Sequence, residues 1–255
     1  MTNKPQLSVC ILTHDEEENI LECIRSASFA EEIVVIDDDS TDKTVEIAQS
    51  AGAKVYKRSL AGDFGAQKSF AVEKASCPWV FILDADERFT DELAREVALE
   101  VASEPLCCYA VRRSNRFVTG SASHGAMRPD LVVRLFPKEG SFFQGRVHEK
   151  LVTAAPQKDL KSHLIHYPYK NWESYINKFN RYTTLAAQQY YASGRKCRVL
   201  RDIVLRPLGA FVKVYFLRLG FLDGALGFVF SFAHASYTMA KYVKLLAIER
   251  GKGRI

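Results

Sequence analysis

The sequence predicts an α/β fold: a doubly wound, mostly parallel sheet, followed by a C-terminal helical region that associates with membranes. Short apolar runs alternate with amphipathic segments through the first 104 residues. Strands that alternate with helices in this way form parallel sheets with right-handed crossovers. The last quarter of the chain instead combines long apolar and aromatic stretches with basic residues. We therefore predict a catalytic domain over 1–168, with halves 1–104 and 105–168, and a helical region over 169–255.

The elements of the first half follow from apolar periodicity and from helix start and stop signals. The expected strands are Leu7–Leu12, Ile33–Ile36, Ala53–Tyr56 and Trp79–Leu83. The expected helices are Glu16–Phe29, a segment from a Ser40 or Thr41 cap to Ala51, Gly65–Ala75 and Asp91–Ser103.

The pattern differs in residues 105–168, where we expect short strands, Tyr109–Arg112 and Leu131–Phe136, separated by polar loops. Aromatic and aliphatic residues from Trp172 to Leu185 then recur at helical spacing, and Gly194 is expected to end that helix.

The 255 residues are 47% hydrophobic and 25% charged, which is typical of a globular protein with one catalytic domain and an appendage. The formal charge of +5 suits an anionic partner. The six cysteines form no CxxC pair and are expected to be reduced. Because no charged-then-apolar leader is evident at the N-terminus, we expect a cytoplasmic location.

The region from Lys196 onward interleaves cations with aliphatic and aromatic residues, a composition typical of helices that lie on a membrane surface. Its longest uncharged stretch, Gly224–Ala240, falls below the roughly 20 apolar residues that a spanning helix needs. We favour a peripheral contact with an anionic membrane. An internal helical subdomain or a homo-oligomer contact is the alternative.

Two expected strands end in carboxylates. Asp84 and Asp86 follow the fourth apolar run, and Asp37 to Asp39 follow the second. Open α/β sheets bind ligands at the carboxyl ends of their strands. Carboxylate oxygens bind Mg²⁺ or Mn²⁺, which share their coordination with phosphates. This pattern predicts a site for a cation and a diphosphate.

Several function classes are excluded or disfavoured. The first strand runs into Thr13-His14-Asp15 and not into glycines, so a dinucleotide-binding dehydrogenase is not expected. A phosphate-binding GxxxxGK[ST] loop is absent from the sequence, which argues against a P-loop kinase. The basic residues lie among long aliphatic runs, which disfavours nucleic acid as a partner.

Three motifs in order resemble the family 2 glycosyltransferases of the GT-A fold: Ser8–Thr13, Val34–Asp42 and Phe81–Glu87. The resemblance implies a nucleotide-sugar donor, with Thr13, Glu16 and Asp38 at the nucleotide. It implies that Asp86, helped by Asp84, binds the cation that bridges the diphosphate. Asp39 stands where the family usually has glycine.

Lys68 at the start of a helix can face the donor phosphates, as a basic residue does in the family. A solvated surface lysine is the alternative. Arg134 and Arg146 are further candidates to neutralise donor or acceptor phosphate, and a solvated ion-pair partner is the alternative for each. Imidazole suits a divalent cation, so His166 and His148 are candidates to bind the metal or to contact phosphate, with His166 preferred and His148 expected to support its neighbour Glu149. A packed, hydrogen-bonded histidine is the alternative.

Inverting sugar transfer needs a carboxylate that takes the proton of the acceptor hydroxyl. Our candidate is Glu149, whose segment Val147-His148-Glu149 resembles the lipopolysaccharide-core glucosyltransferase branch of the family. Four other segments match that branch: Arg134–Phe136, His166–Pro168, Lys178–Thr183 and Gly220–Gly224. The branch implies UDP-glucose as donor and a lipid-linked glycan, such as the lipopolysaccharide inner core, as acceptor.

The sequence therefore predicts a metal-dependent inverting hexosyltransferase. One alternative is a peptide or protein glycosyltransferase with the same donor half, in which the C-terminal helices pair subunits. Another is a non-catalytic nucleotide-sugar-binding scaffold at the membrane, against which the carboxylates Asp84, Asp86 and Glu149 argue. A nucleotidyltransferase would show a Gly-rich basic loop after the first strand, and this chain lacks one.

Overall fold

The structure is a computed structural model that describes residues 4–103, 106–117, 120–121, 123–146, 149–169 and 171–251. It divides into two compact units. Unit 1 contains the described residues up to Ser114 together with Asp130–His166. Unit 2 contains Asn115–Pro129 and the described residues from Tyr167 onward.

Unit 1 is built on one large sheet whose strand order is β3-β2-β1-β4-β8-β6-β11-β5. Its strands are β1 Leu7–Thr13, β2 Glu32–Asp37, β3 Lys54–Lys57, β4 Trp79–Asp84, β5 Glu87–Phe89, β6 Cys108–Phe117, β8 Asp130–Pro137 and β11 Gln157–His166. The small strand β7, Gly120–Ser121, belongs to unit 2, where it pairs with Arg116 and Phe117 at the end of β6. A separate hairpin joins β9, Phe142–Gln144, to β10, Lys150–Val152. The helices are α1 Ile20–Ser26, α2 Thr44–Ser50, α3 Phe64–Lys74 and α4 Asp91–Val101.

The predicted doubly wound sheet is confirmed. Strands β3, β2, β1 and β4 are parallel, whereas β8 pairs antiparallel with β4 and with β6. One face buries Ile20 of α1, Ala48 of α2 and Leu93 of α4. The other face buries Ala71 of α3 and carries the hairpin residue Phe143 against it. Burial on both faces explains why the parallel strands are continuous apolar runs.

The N-terminal end of α2 differs from the prediction. Ser40 and Thr41 do not cap this helix, which begins at Thr44. Instead the Ser40 Oγ accepts the Asp15 backbone N–H at 2.9 Å, and the Thr41 backbone N–H donates to the Asp15 Oδ1 at 2.7 Å. The Ser40 Oγ, which a cap would use as its acceptor, is thus occupied by the Asp15 N–H. The two contacts join the loop after β1 to the loop after β2.

Unit 2 is mainly helical. Its elements are a 3₁₀ turn at Gly125–Met127, α5 Trp172–Ala192, a π-helical segment Val199–Leu205, α6 Arg206–Val212, a second π-helical segment Lys213–Leu217, a 3₁₀ turn at Gly220–Asp223 and α7 Gly224–Arg250. Helix α5 is followed by Gly194 at a φ of +73°, as the sequence predicted. Asn171 caps α5 in a capping box with Ser174.

Two of the branch motifs have structural roles within unit 2. The Lys244 ammonium donates to the Asn180 backbone oxygen and to the Thr183 and Thr184 hydroxyls, each at 2.8 Å. Asp223 accepts the His124 backbone N–H at 2.7 Å. These contacts involve Asn180 and Thr183 of one motif and Asp223 of the other.

Within the part of the chain that the structure describes, no single helix is long and apolar enough to cross a bilayer. The helical stretches Val199–Leu217 and Gly220–Arg250 meet that criterion only as a pair, and they are bent by 71° at the break.

Glu32, at the amino end of β2, is a buried carboxylate that stabilises the sheet. Its carboxylate accepts from the Ser8 Oγ at 2.5 Å, the Lys54 Nζ at 2.6 Å and the Ser76 backbone N–H at 2.7 Å. Burial alone would raise the pKa of Glu32, but these hydrogen bonds outweigh it and lower the pKa from 4.5 to about 2.

We expect Glu32→Gln to lower the free energy of unfolding by about 2–3 kcal/mol near pH 7. A carboxyl group whose pKa is depressed in the folded state stabilises above its unfolded pKa and loses that effect as the pH falls through the folded value. The difference between wild type and variant should therefore shrink between pH 4.5 and about 2. Urea denaturation at several pH values measures it, and a pH-independent difference would contradict the assignment.

Candidate active site

The carboxyl ends of three adjacent parallel strands carry the predicted donor-site residues. Thr13 ends β1 and pairs in register with Asp37, which ends β2. Leu12 pairs with Asp84, the last residue of β4. Asp38 directly follows β2, and its backbone N–H donates to the Thr13 carbonyl at 2.9 Å. The fold therefore brings Thr13, Asp38 and Asp84 to one edge of the sheet.

Two buried oxygen atoms at this edge have no hydrogen-bond partner among the described protein groups. They are the Thr13 Oγ1 and the Asp37 Oδ1, on residues that are 6% and 0% exposed. The other Asp37 oxygen accepts the Ser40 backbone N–H at 3.1 Å. Since buried polar atoms are normally hydrogen-bonded, the pair marks a place where a polar ligand or water completes the bonding.

Asp38 and Asp39 shape the loop beside those atoms. The Asp38 Oδ1 accepts the Leu60 backbone N–H at 2.6 Å, which fixes the chain after β3. Asp39, where the resembled family usually has glycine, adopts a φ of +50°. Aspartate tolerates this left-handed conformation better than most residues, so the loop keeps a glycine-like backbone while it gains a carboxylate.

Glu16 contributes to the local structure of the loop after β1. Its backbone N–H donates to the Thr44 Oγ1 at 2.8 Å, and its Oε2 accepts from the Asn19 Nδ2 at 2.6 Å. Glu16 thus lies near the same strand ends, where it orders the entry to α1.

The acidic loop between β4 and β5 is held by a buried arginine. The Arg134 Nη2 lies 2.6 Å from the Asp84 Oδ2 and 2.6 Å from the Glu87 Oε1, and the arginine is 2% exposed. The Glu87 Oε2 accepts the Asp84 backbone N–H at 3.1 Å. The Arg113 Nη1 lies 3.3 Å from Glu87. Asp84 is therefore fixed at both its side chain and its backbone.

The charges around this loop set its protonation. Burial alone would raise the pKa of Asp84, but the positive charges of Arg134 and Lys68 outweigh burial and lower the pKa to about 2. The pKa of Glu87 is raised, chiefly by burial. Asp84, whose side chain is 36% exposed, is thus anionic and accessible at neutral pH.

Asp86 and His166, the two predicted metal ligands, lie together. The Asp86 Oδ2 and the His166 Nε2 are 3.5 Å apart, and the side chains are 24% and 16% exposed. His166 ends β11 and pairs in register with Glu87. Arg88 orders the loop further, since its guanidinium donates to the Ala85 carbonyl at 2.7 Å.

This donor set fits a divalent cation that completes its coordination with phosphate. Across the ranges that the structure describes, no three His, Cys, Asp or Glu side chains are arranged to hold a metal ion. One or two carboxylates together with substrate phosphates are the usual ligands of Mg²⁺ at nucleotide sites. Asp86 and His166 are one carboxylate and one imidazole of this kind, so a cation bound here would take the rest of its coordination from phosphate and water.

Lys68 and Glu149 form a close ion pair, although 80 residues separate them in the chain. The Lys68 Nζ lies 2.5 Å from the Glu149 Oε1, and the side chains are 14% and 16% exposed. Lys68 lies in the second turn of α3, whose first turn is capped by the Asp63 side chain. The structure thus places the candidate base beside the residue expected at the donor phosphates.

The expectation that Arg134 neutralises phosphate is wrong, because its guanidinium is buried against Asp84 and Glu87. Its position within the apolar run Val132–Phe136 is the sequence signal for a buried arginine, which requires buried carboxylates. Arg146 is exposed, with its Nε 3.9 Å from an oxygen of Asp63. Val147 and His148 lie outside the described residues.

His14 is a residue of this edge that the sequence analysis did not single out as a site residue. Its Nδ1 lies 2.6 Å from the Asp38 carbonyl oxygen, and this hydrogen bond raises the pKa of His14. Its place directly after Thr13 is the only sequence signal that could have identified it.

Comparisons with known proteins identify the family to which the chain belongs. The model of the family described as glycosyl transferase family 2 matches residues 8–155. The lipopolysaccharide core biosynthesis glycosyltransferase LpsC of Rhizobium meliloti is 30% identical, over 96% of this chain and 93% of LpsC.

Two solved structures are more distantly similar. The crystal structure of S. aureus TarS 1-349 is 14% identical, with a TM-score of 0.46 over 96% of this chain and 91% of that one. Glucosyl-3-phosphoglycerate synthase from Mycobacterium tuberculosis, in complex with Mn²⁺, uridine diphosphate and glucosyl-3-phosphoglycerate, is 20% identical, with a TM-score of 0.36 over 44% of this chain and 43% of that one. The family match spans more than half of the chain and includes both acidic strand ends, and the chain belongs to glycosyl transferase family 2.

Proposed function

We propose that this family 2 glycosyltransferase is an inverting, metal-dependent hexosyltransferase that moves a hexose, with glucose from UDP-glucose as the first candidate, to a lipid-linked glycan. The observation that carries the proposal is the convergence of Thr13, Asp38, Asp84 and Asp86 at the carboxyl ends of three parallel strands. Parallel α/β sheets bind their ligands at this edge. The unbonded Thr13 Oγ1 supports a polar ligand there.

Each donor contact is assigned by its chemistry. Thr13 and Asp38 are assigned to the nucleotide, because their oxygens can accept or donate hydrogen bonds to a base or ribose. Lys68 is assigned to the diphosphate. Asp86 and His166, helped by the negative charge of Asp84, would bind a Mg²⁺ or Mn²⁺ ion that also takes phosphate ligands, and such an ion stabilises the negative charge of the departing diphosphate.

Glu149 is assigned as the general base. Its carboxylate would accept the proton of the acceptor hydroxyl while the hydroxyl oxygen attacks the anomeric carbon. The bond between that carbon and the diphosphate oxygen breaks, and the electron pair leaves with the diphosphate. Attack opposite to the leaving group inverts the anomeric configuration.

The acceptor assignment rests on the relatives. LpsC is named as a lipopolysaccharide core biosynthesis glycosyltransferase, and its similarity extends along 96% of this chain. This coverage includes the C-terminal helices as well as the donor half. It favours a lipopolysaccharide core acceptor over a peptide or protein acceptor, and the paired carboxylates favour an enzyme over a scaffold.

The activity is tested by incubating the purified full-length protein with labelled UDP-glucose, Mn²⁺ and a series of lipopolysaccharides truncated in the inner core. We expect label in one truncated form, with a product of inverted anomeric configuration by NMR. Transfer to a peptide library but not to any lipopolysaccharide would favour the protein glycosyltransferase alternative. UDP binding without transfer to either would favour the scaffold.

Unit 2 carries a surface suited to an anionic membrane, and we propose a peripheral location on the cytoplasmic face of the inner membrane. Val199–Leu217 exposes many apolar side chains, among them Leu200 at 68%, Leu208 at 59% and Leu217 at 75%. Exposed Arg198 and Lys213 flank or interrupt them. Apolar residues among cations on one helical stretch are typical of helices at the lipid headgroup level.

We expect the protein to sediment with phosphatidylcholine vesicles that contain phosphatidylglycerol, and salt should weaken this binding because headgroup attraction is electrostatic. The Leu208→Glu, Leu217→Glu variant should bind at least about tenfold more weakly. Leu99→Glu, at an equally exposed leucine on α4, is the matched control and should bind as wild type does. Equal binding by all three proteins would contradict this surface.

A further inference from the structure

The ammonium of Lys68 has two candidate partners, the Glu149 carboxylate and the donor diphosphate. Its Nζ lies 2.5 Å from the Glu149 Oε1. It also lies 5.5 Å from the centroid of the Phe143 ring. The side chains of Lys68 and Glu149 are 14% and 16% exposed, so the ion pair is largely shielded from water. Under the proposed function, the same ammonium faces the diphosphate of the donor.

Hydrogen bonds to the backbone hold together the two chain segments that carry the ion pair. The Ser69 Oγ donates to the Phe143 carbonyl at 3.1 Å and accepts the Phe143 backbone N–H at 2.9 Å. The Phe64 backbone N–H donates to the Arg146 carbonyl at 3.0 Å. Hydrogen bonds at Ser69–Phe143 and at Phe64–Arg146 therefore join the first two turns of α3 to the chain just before Glu149.

Gly65 shows how closely these two segments approach. A Cβ at this position would overlap the carbonyl oxygen of Gly145 and would lie 3.5 Å from the Glu149 Cβ. Only glycine permits this approach. The distance between Lys68 and Glu149 is thus set by the packing of α3 against the chain that carries the candidate base.

We propose that Lys68 is a positioning residue that couples donor binding to the base: it holds Glu149 in the donor-free protein, and the donor diphosphate competes with Glu149 for it. This inference rests on the proposed function. A diphosphate carries more charge than one carboxylate and offers more oxygen acceptors, so it draws the ammonium away. Glu149 then loses its ion-pair partner, and its carboxylate oxygens can accept a hydrogen bond from the acceptor hydroxyl.

The coupling has an unexpected thermodynamic consequence. In the wild type, part of the donor's interaction with Lys68 replaces the Lys68–Glu149 ion pair, so Glu149 weakens donor binding. Removing the carboxylate should strengthen donor binding even though it removes the proposed base. A base with no connection to Lys68 would change donor affinity equally with and without Lys68.

The test is a calorimetric titration of UDP in the presence of Mn²⁺ on full-length variants. We expect Glu149→Gln to bind UDP about 5- to 10-fold more tightly than wild type. The same substitution in a Lys68→Met background should change the affinity by less than about twofold, because the competition no longer exists. Glu73→Gln, which removes an exposed carboxylate of α3, is the matched control and should bind UDP as wild type does.

Two outcomes for Glu149→Gln overturn the inference. Equal strengthening by Glu149→Gln in both backgrounds would show a general effect of charge and not competition for Lys68. Unchanged or weaker binding by Glu149→Gln would show that the carboxylate does not oppose the donor. Failure of the wild type to bind UDP would instead contradict the uridine donor of the proposed function. The two failures are distinguishable, because this one is measured on the wild type alone and the other on the variants.

Discussion

Glu149→Gln should lower the turnover of sugar transfer by about 100- to 10,000-fold, the range expected for loss of a general base. Glutamine keeps the shape of the side chain and can hydrogen-bond, but it cannot accept the hydroxyl proton. The measurement is single-turnover transfer from UDP-glucose, with the acceptor identified by the product assay. Because the variant should bind UDP at least as tightly as wild type, the loss should appear in the chemical step and not in donor affinity.

The control for this experiment is Glu139→Gln, at an exposed carboxylate in the turn after β8. It should transfer at the wild-type rate. If Glu149→Gln retained more than about a third of the wild-type rate constant, the loss would be far below that of a general base, and Glu149 would not be the base. A carboxylate outside the Lys68 contact would then have to carry that role.

Arg134→Met should lower the free energy of unfolding by about 3–5 kcal/mol, the usual cost of breaking a buried ion pair by removing one partner. The Arg134 Nη2 is the shared counter-ion of Asp84 and Glu87 at 2.6 Å from each. Methionine fills a similar volume but leaves Glu87, which is fully buried, with the longer contact to Arg113 at 3.3 Å in place of the Arg134 ion pair. Urea denaturation near pH 7 measures the change.

Two further variants separate this charge effect from packing. Arg112→Met, at an exposed arginine on the adjacent strand β6, should change the stability by less than about 0.5 kcal/mol. Adding Glu87→Gln to Arg134→Met should recover part of the lost stability, because the amide has no charge to leave uncompensated. Additive losses in the double variant, or a loss below about 1 kcal/mol in Arg134→Met, would contradict the role of Arg134 as counter-ion.

The parallel half of the sheet was predictable because local information determines it. The apolar runs that form β1, β2 and β4 are buried on both faces, and a run of this kind has few alternatives to a central strand. The same runs end in carboxylates, so the meeting of Asp38 and Asp84 at one edge followed from topology alone. The ends of the helices were less predictable, as Ser40 shows, because its hydroxyl bonds to the Asp15 backbone in a distant loop.

The interior of the site depends on contacts between residues far apart in the chain. The sequence marked Lys68 and Glu149 separately, one for phosphate and one for the acceptor proton, but nothing in their local patterns indicated that they touch. The buried role of Arg134 depends in the same way on Glu87, 47 residues earlier. Such pairs are fixed by the packing of α3 on the β9–β10 hairpin and of β8 on β4, which periodicity does not report.

The central claim is that the acidic strand ends bind a nucleotide diphosphate through a cation. The most direct test is a calorimetric titration of UDP, with and without Mn²⁺, on the wild type and on Asp86→Asn. We predict UDP binding that requires the metal and that weakens at least about tenfold in Asp86→Asn, because a neutral amide is a poorer ligand for a hard cation than a carboxylate. UDP binding that is the same with and without metal, or the same in both proteins, would contradict the assignment of this edge of the sheet.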